Sequence, residues 1–290
     1  MERSADIPRN QNTYVLDSES AAEMARLISQ DHLVTEHMGG LLAERPNFSH
    51  IHRVVDIACG PGGWAQEVAF AHPNIEVVGI DISKTMIEYA NAQAEVQNLT
   101  NIEFLIMDVH SPLEFPDESF DLVNARFLIG FMPPAAWPKL IAECWRITRP
   151  GGAIRLTETD DMGNTSSPAF EKLWKMCSLA FFKAGRSFSP TARNFGINPK
   201  LRYFLRQAGY QDIRTTGYAI DFSTGADAHR GVYQDWKIGL KLLQPFLIKM
   251  EVTKQEEAES LYQAAMTEML AEDFCALWYL LSAWGIKPER

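Results

Sequence analysis

The sequence predicts an α/β fold built on a mostly parallel sheet, and two patterns support that prediction. Short β-branched runs alternate with helical stretches along the first half of the chain. Parallel strands need crossover connections of this kind, because a tight hairpin cannot join them. The second pattern is a glycine-rich loop directly after the first predicted strand. In open sheets of this class, ligands bind at the carboxyl ends of the strands.

The first half of the chain supplies most of the sheet. Residues 17–38 have apolar positions at helical spacing, with Ser20 and Glu23 as a capping box and Gly39 and Gly40 as a stop signal. Residues up to about Asn12 are expected to form a mobile tail. Strands are then predicted at 54–55, 75–80, 102–106, 122–123 and 153–156, and helices at 63–71, 84–97 and 137–148.

The second half departs from this alternation. Helices are predicted over 168–185 and 199–208, and a strand over 212–222. Residues 226–271 are helical again, with a break expected near Pro245 and a restart near Thr253. The apolar segment 274–286 is interpreted as a final strand, with a short buried helix as the alternative.

Composition argues against several classes of partner. The chain has 290 residues, of which 46% are hydrophobic, and a formal net charge of −10. Because phosphate neutralisation supplies most nucleic-acid affinity, this balance disfavours a nucleic-acid partner. The apolar segments are shorter than the about 20 residues of a membrane span, and no signal peptide is evident. Four scattered cysteines form no ligand pair, so we expect a cytoplasmic protein with reduced thiols, no metal and no membrane partner.

The strongest local signal is the loop after the first strand, which reads DIACGPGG from Asp56 onward. Gly60 and Gly62 carry no Cβ, so a ligand can approach the backbone closely. The next helix presents its N-terminal amides to an anionic group. Asp81 ends the second strand, where a carboxylate can accept both ribose hydroxyls, and Asp108 ends the third, where an acceptor can meet an adenine amino group. Together they predict a nucleoside site.

A nicotinamide dinucleotide is the alternative ligand, and it implies a reductase. Gly60, Gly62 and Ala65 match its glycine spacing. Asp56 argues against it, because a carboxylate near the end of the first strand repels a pyrophosphate. Asp108 has no set role in the dinucleotide fingerprint. A ligand with an amino-acid end fits better, since the loop amides and Asp56 can hold its carboxylate and ammonium groups.

These motifs resemble those of the class I S-adenosylmethionine-dependent methyltransferases, in the small-molecule subgroup that includes quinone-biosynthesis methyltransferases. Ala58 departs from the family pattern, since it replaces the first glycine of the first motif. The matching stretches are 56–62, 80–83 with Met86, 107–109, 120–126 and 148–152.

The resemblance implies S-adenosylmethionine as cofactor and a Rossmann-like α/β fold. The expected sheet has seven mostly parallel strands, with the last strand antiparallel and helices on both faces. Residues 1–44 would form a tail and a cap helix, and 45–290 the methyltransferase domain, with helical lid insertions at about 160–198 and 224–272. The implied reaction methylates an oxygen, nitrogen or carbon atom of a small organic molecule, with secondary metabolites among the candidates.

The residues expected to bind the cofactor belong to the motifs at the strand ends, together with Tyr14, which precedes the first helix. They are Tyr14, Asp56, Ala58, Cys59, Gly60, Pro61, Gly62, Asp81, Ile82, Met86, Met107, Asp108, Val109, Asn124, Ala125 and Arg126. The candidate catalytic residue is Glu158, after the fifth strand, as a general base or an orienting acceptor. Its alternative role is that of a solvent-facing loop carboxylate.

Other hypotheses remain at this point. A protein that binds the cofactor without transferring methyl groups would share every motif. A base-amino methyltransferase of nucleic acid is disfavoured, because its Asn/Asp-Pro-Pro-aromatic motif is not found at 124–127. Asp160 and Asp161 keep a polyamine synthase open. Neither the methyl acceptor nor the assembly, monomer or homodimer, follows from the sequence.

Overall fold

The computed structural model describes residues 14–16, 20–44 and 50–289, so the predicted mobile tail lies outside the described residues. The elements are α1 (Ala21–His37), β1 (Arg53–Ile57), α2 (Gly63–Ala71), β2 (Glu76–Asp81), α3 (Lys84–Val96), β3 (Ile102–Ile106), β4 (Phe120–Arg126), α4 (Trp137–Ile147), β5 (Thr148–Glu158), β6 (Asn164–Thr165), α5 (Pro168–Lys183), α6 (Asn198–Ala208), β7 (Gln211–Asp221), α7 (His229–Lys249), α8 (Gln255–Glu268) and β8 (Ala276–Ile286). A short 3₁₀ helix, Leu128–Gly130, follows β4.

The strands form one mostly parallel sheet, as predicted. Its order is β3-β2-β1-β4-β5-β8, with the first five strands parallel and β8 antiparallel to both β5 and β7. The two-residue strand β6 also pairs with β8, so the described residues form eight strands where seven were expected. The chain runs outward from β1 to β3 and then returns to β4, beside β1. The carboxyl ends of β1 and β4 are therefore the switch point at which such sheets bind ligands.

The final apolar segment is a strand, and its burial pattern explains why. Trp278 and Leu280 are buried, whereas Leu277 and Tyr279, which alternate with them, are exposed. This period of two matches a sheet with one covered face, and a helix of the same residues would turn Leu277 and Trp278 toward neighbouring directions. The prediction of a strand over this segment is confirmed.

Hydrophobic residues cover both faces of the central strands. One cluster joins them to α2 and α3, and it includes Val54, Leu122, Ala153, Trp64 and Ile87. A second cluster joins the neighbouring strand residues to α4 and α6, and it includes Val55, Val123, Ile154, Leu140 and Leu201. Because successive side chains of a strand point to opposite faces, each face needs its own helices. The expected helices on both faces are confirmed.

Two local predictions were wrong. The break expected near Pro245 does not occur, because α7 continues through this proline to Lys249. Leu243 and Leu247 lie four residues apart on one face of the helix, and both are buried. Their packing outweighs the backbone hydrogen bond that the proline cannot make. The capping box at the start of α1 is also absent, since the Ser20 side chain makes no capping hydrogen bond.

The helices outside the regular alternation pack against one another. α1 lies against α7, and α5 lies against both α7 and α8. α1 is the predicted cap helix, and α5, α7 and α8 lie in the two predicted lid insertions. Their closing role and the domain division at residue 44 stay predictions. In the part of the chain that the structure describes, no helix has the length and apolarity needed to cross a membrane.

Candidate cofactor site

The loop between β1 and α2 has a backbone that few residues can adopt. Ala58, Gly60 and Gly62 all have positive φ, of 55°, 55° and 81°. At Gly62 a Cβ would lie 2.5 Å from the ring of Phe104, so glycine is required there by both conformation and space. Ala58 adopts the left-handed conformation at the position where the family motif has glycine, at a cost of about 1 kcal/mol.

Asp81 is held against this loop by backbone amides. The N–H of Gly60 donates to its Oδ2 at 2.9 Å, and the N–H of Ser83 donates to its Oδ1 at 2.9 Å. The Ser83 hydroxyl in turn accepts from the N–H of Met86 and caps α3. The carboxylate at the end of β2 is thus fixed in orientation beside the glycine loop.

Asp108 lies at the end of the next strand and binds a neighbouring imidazole. Its Oδ1 is 3.0 Å from Nδ1 of His110 and accepts the backbone N–H of the same residue at 2.9 Å. The opposite ring nitrogen of His110 is therefore directed away from the carboxylate. The imidazole also packs edge-on against Phe131, with ring centroids 6.2 Å apart.

Asp56 is the most buried of the three strand-end acids. Its side chain accepts a 2.7 Å hydrogen bond from Nδ2 of Asn124 on the adjacent strand β4. Burial raises the pKa of Asp56 to about 7, and the nearby charge of Asp81 acts in the same direction. Hydrogen bonding to Asn124 and the charge of Arg155 oppose this rise in pKa.

These groups line one cleft at the carboxyl ends of the strands, which encloses about 1090 Å³, part of it open to solvent. The predicted binding residues that line it are Tyr14, Asp56, Ala58, Cys59, Gly60, Pro61, Asp81, Ile82, Met86, Met107, Asp108, Val109 and Arg126. Three others lie behind its wall. Gly62 faces Phe104, Asn124 is fully buried against Asp56, and Ala125 is buried in the core.

Six residues of the cleft were not among the predicted site residues. Leu27, Gln30 and Asp31 come from α1, and His110, Phe127 and Phe131 come from the loops after β3 and β4. The apolar spacing of α1 predicted a helix, yet no sequence signal shows which of its side chains meet a loop that follows later in the chain. For the loop residues the only signals were their chain positions, with His110 after the acid that follows β3 and with Phe127 and Phe131 after β4.

The comparisons with known proteins agree with this geometry. A family described as a methyltransferase domain matches residues 54–152, which span β1 to the start of β5. A demethylmenaquinone methyltransferase of Geobacillus sp. (strain WCH70) is 27% identical over 192 residues, which is 61% of this chain and 78% of the relative. The methyltransferase pytC of Aspergillus terreus is 27% identical over 206 residues, which is 68% of this chain and 58% of the relative.

Solved structures share the fold. Phosphoethanolamine N-methyltransferase 2 of Haemonchus contortus, in complex with S-adenosyl-L-methionine, superposes with a TM-score of 0.55 at 18% identity, covering 92% of this chain and 57% of that chain. A putative sarcosine dimethylglycine methyltransferase from Galdieria sulphuraria gives 0.52 at 14% identity, covering 96% and 95%.

Residues 54–152 form a methyltransferase domain, and the chain is an S-adenosylmethionine-dependent methyltransferase. The expected cofactor is therefore S-adenosylmethionine, and the nicotinamide alternative is not supported.

Glu158 lies outside the cleft of the methyltransferase. It is 1% exposed, and its two carboxylate oxygens accept the backbone N–H groups of Leu128 at 2.7 Å and Ile129 at 3.3 Å. Burial raises the pKa of Glu158 to about 8, with a smaller contribution from Asp160 and opposition from both backbone donors. The solvent-facing alternative for this carboxylate is wrong, because the side chain points into the protein and holds the 3₁₀ helix after β4.

Tyr14 lines the cleft and is anchored to a buried ion cluster of α1 and α7. Its hydroxyl donates to Oε1 of Glu23 at 2.7 Å. Arg26 pairs with both carboxylate oxygens of Glu23, at 2.7 and 2.8 Å, and with Oδ1 of Asp235 at 2.8 Å. All three charged side chains are at most 6% exposed. The tyrosine ring lies against Gly130, where a Cβ would be 3.1 Å from it.

Arg126 joins the end of β4 to the same helix. Its Nη1 donates to the Thr35 hydroxyl at 3.0 Å, and its Nη2 forms an ion pair with Asp31. The sequence predicted Arg126 as a cofactor-binding residue, and the structure pairs its guanidinium with an acid of α1. The guanidinium also borders the cleft, within reach of a bound molecule.

Proposed function

We propose that the methyltransferase transfers the methyl group of S-adenosylmethionine to a flat, apolar small molecule that binds at the aromatic end of the cleft. One observation carries the proposal: a single cleft joins the strand-end acids to the rings of Tyr14, Phe127 and Phe131. A cofactor bound at the acids would direct its sulfonium toward the part of the cleft that these rings line. Aromatic faces attract a sulfonium charge and stack on flat substrates.

The acids and the glycine loop fit the cofactor. Asp81, fixed by two backbone amides, would accept the ribose hydroxyls, and Asp108 would accept the adenine amino group. Asp56 would take the ammonium of the methionine end, since it is the carboxylate of the cleft nearest the glycine loop along β1. Gly60 has a positive φ and no Cβ, so it presents bare backbone to the ligand.

When bound, S-adenosylmethionine supplies an electrophilic methyl group. The chain then has to align the acceptor atom with that group at about 3 Å and keep water out. Tyr14 precedes α1 and Phe131 follows β4, and both residues line the cleft. We propose that these two rings hold the acceptor between them.

We propose a positioning role for Glu158 in place of proton transfer. Its carboxyl group holds the Leu128–Gly130 turn, and the ring of Tyr14 lies against Gly130. Glu158 thereby fixes the turn against which the ring of Tyr14 packs, and it does not itself line the cleft.

The substrate class draws support from the relatives and from charge. One relative is named a demethylmenaquinone methyltransferase, which favours a quinol-like acceptor for this chain. The net charge of −10 opposes a nucleic-acid substrate. We expect the enzyme to act in the cytoplasm, where its free cysteines stay reduced.

Calorimetric titration with S-adenosylmethionine, with NADH in parallel, tests cofactor binding. We expect the first to bind and the second not to bind. Asp81→Ala should weaken binding by about 1.5–3 kcal/mol, because a charge-assisted contact is lost. Asp117→Ala is the matched control, since Asp117 is an exposed acid paired with Arg146 away from the cleft. Binding of NADH alone would overturn the proposal.

Chromatographic detection of S-adenosylhomocysteine then tests transfer. The wild-type protein is incubated with S-adenosylmethionine and a panel of phenols, quinols and small amines. We expect product only with aromatic acceptors. Cofactor binding without product from any acceptor of the panel would favour a protein that binds the cofactor for another purpose.

A further inference from the structure

A row of buried polar side chains crosses the sheet beneath the cleft. Asp56 on β1 is paired in register with Asn124 on β4, and Asn124 is paired with Arg155 on β5. Paired residues of neighbouring strands project to the same face, so the three side chains lie side by side. Asn124 and Arg155 are at most 1% exposed. Because the three residues belong to three different strands, they come together only in the folded protein.

The hydrogen bonds along the row fix the direction of the amide between the two charges. Nδ2 of Asn124 donates to Oδ1 of Asp56 at 2.7 Å, and Oδ1 of Asn124 accepts from Nη1 of Arg155 at 3.2 Å. A flipped amide would place N–H groups against a guanidinium, which has no acceptor. The asparagine therefore aligns its dipole between cation and carboxylate, and each polarises it in the same sense.

Glu44 holds the other end of the row. Its two carboxylate oxygens lie 3.2 and 3.3 Å from Nε and Nη2 of Arg155. The hydroxyl groups of Ser282 on β8 and Tyr218 on β7 also help to lower the pKa of this carboxyl group. Arg155 and the neighbouring hydrogen bonds hold the pKa of Glu44 below its usual value, although burial opposes this. The guanidinium is thus kept in place by a residue that precedes β1.

The charges that face Asp56 are few. Two acidic groups lie near it, the carboxylate of Asp81 across the glycine loop and the thiol of Cys59. Burial and the charge of Asp81 both disfavour the charged form of Asp56. Arg155 acts in the opposite direction, through Asn124. The guanidinium of Arg126 also borders the cleft, but it is paired with Asp31. Arg155 is therefore the cation that the fold directs at Asp56.

We propose that Arg155 is a positioning residue that, through Asn124, keeps Asp56 charged for the ammonium group of the cofactor and so sets the pH range over which the enzyme binds it. The inference rests on the proposed contact between Asp56 and the methionine end of the cofactor. A merely structural role for Arg155 would be to hold the segment around Glu44 against the sheet. The two roles predict different results when Arg155 or Glu44 is replaced.

Calorimetric titration with S-adenosylhomocysteine between pH 5.5 and 9 distinguishes them. Wild-type affinity should fall as the pH drops below about 7, because Asp56 then takes up a proton. Arg155→Met should move this midpoint upward by about one pH unit, so that affinity falls about tenfold at pH 6 and returns to within about threefold of wild type at pH 9. Glu44→Gln should move the midpoint downward, because it leaves the cation uncompensated.

A structural role gives a different result. Both single variants would then lose affinity to a similar degree at every pH, with the midpoint unchanged, and that outcome overturns the proposal. The double variant Glu44→Gln with Arg155→Met removes both members of the ion pair, so neither is left buried without the other, and it extends the test if a single variant unfolds. Its midpoint should move upward, as in Arg155→Met.

Asp56→Asn separates this inference from the proposed function on which it rests. The variant should bind S-adenosylhomocysteine more weakly and without dependence on pH below 8. If it keeps the wild-type pH profile, the contact between Asp56 and the cofactor is wrong, whatever the Arg155 variants do. If it loses the profile while the midpoints of the Arg155 and Glu44 variants stay at the wild-type value, only the role of Arg155 is wrong.

Discussion

The two walls of the cleft are built in different ways. On the sheet side, Asp81 is held by backbone N–H groups of Gly60 and Ser83, in a loop and a turn that adjoin the strands. On the side of α1, Tyr14 is held through Glu23 and Arg26, and Arg26 bonds Asp235, which is 209 residues away. Backbone amides come with the loop conformation, whereas the second wall depends on three buried charges that must meet. The first wall is therefore encoded locally, and the second depends on the docking of α1 against α7.

The largest expected effect comes from breaking the second wall. Arg26→Met leaves Glu23 and Asp235 buried without their cation, so we expect a loss of about 3–5 kcal/mol in the free energy of unfolding. Urea denaturation measures it. Lys172→Met is the control, since it removes an exposed ion pair between α5 and α8 and should cost at most about 1 kcal/mol. Equal losses in the two variants would show that the buried cluster does not hold α1 to α7.

A smaller loss is expected from the sheet side. Gly62→Ala places a Cβ at positive φ and 2.5 Å from the Phe104 ring, which should cost about 2–4 kcal/mol. Gly225→Ala has a similar φ, +87°, with no atom within 4 Å of the added Cβ, so only the conformational cost of about 1–2 kcal/mol remains. The difference between the two variants in thermal unfolding isolates the contact with Phe104. No difference would show that the phenyl ring moves aside freely.

Glu158 lies outside the cleft, where it holds the turn that contains Gly130, and it provides a test of pH dependence. Its pKa of about 8 in the folded protein exceeds the value of about 4.3 expected in the unfolded chain, so the folded state retains a proton that the unfolded state releases. Stability contributed by this group therefore falls as pH rises from about 4.3 to 8, by at most about 1.4 kcal/mol per pH unit.

Glu158→Gln should remove this slope. Urea midpoints at pH 5, 6.5 and 8 would show that the stability of the variant rises relative to that of the wild type as pH rises. Glu257→Gln is the comparison, since Glu257 is exposed and Lys172 lowers its pKa. A parallel offset between Glu158→Gln and wild type at all three pH values would mean that the carboxyl group is ionised in the folded protein.

The smallest effect is expected at the point where the two walls meet. Tyr14→Phe keeps the ring against Gly130 and removes the hydroxyl that donates to Glu23, so we expect a loss of about 1 kcal/mol in stability and a similar loss in cofactor binding. Calorimetry and thermal unfolding measure the two. If binding falls far more than stability, the hydroxyl itself contacts a ligand.

The positions of the strand-end acids could be read from the sequence because their placement follows from chain order. A parallel strand that precedes a helix ends at the carboxyl edge of the sheet, so Asp56, Asp81 and Asp108 had to reach the same edge. The glycines of the loop gave its conformation for a similar reason, because Gly62 adopts a φ that few other residues accept. No contact between distant segments was needed for these predictions.

Other features depended on contacts that no local pattern contains. Glu158 follows its strand as predicted, yet its carboxyl group turns inward because the N–H groups of Leu128 and Ile129 meet it there. Pro245 is exposed and stays within a helix because the packing of Leu243 and Leu247, on the buried face, outweighs its missing donor. In both cases a tertiary partner overrides the local preference.

The sequence by itself determined the mostly parallel sheet, the cofactor class and one wall of the binding site, because these follow from the alternation of strands and helices and from motifs at the ends of the strands. The tertiary structure alone decided which side chains of α1 face the cleft and how Arg155 is directed at Asp56 through Asn124. The physical reason is that side-chain direction and charge state depend on burial and on partners. Those partners come from segments that meet only when the helices and strands are packed.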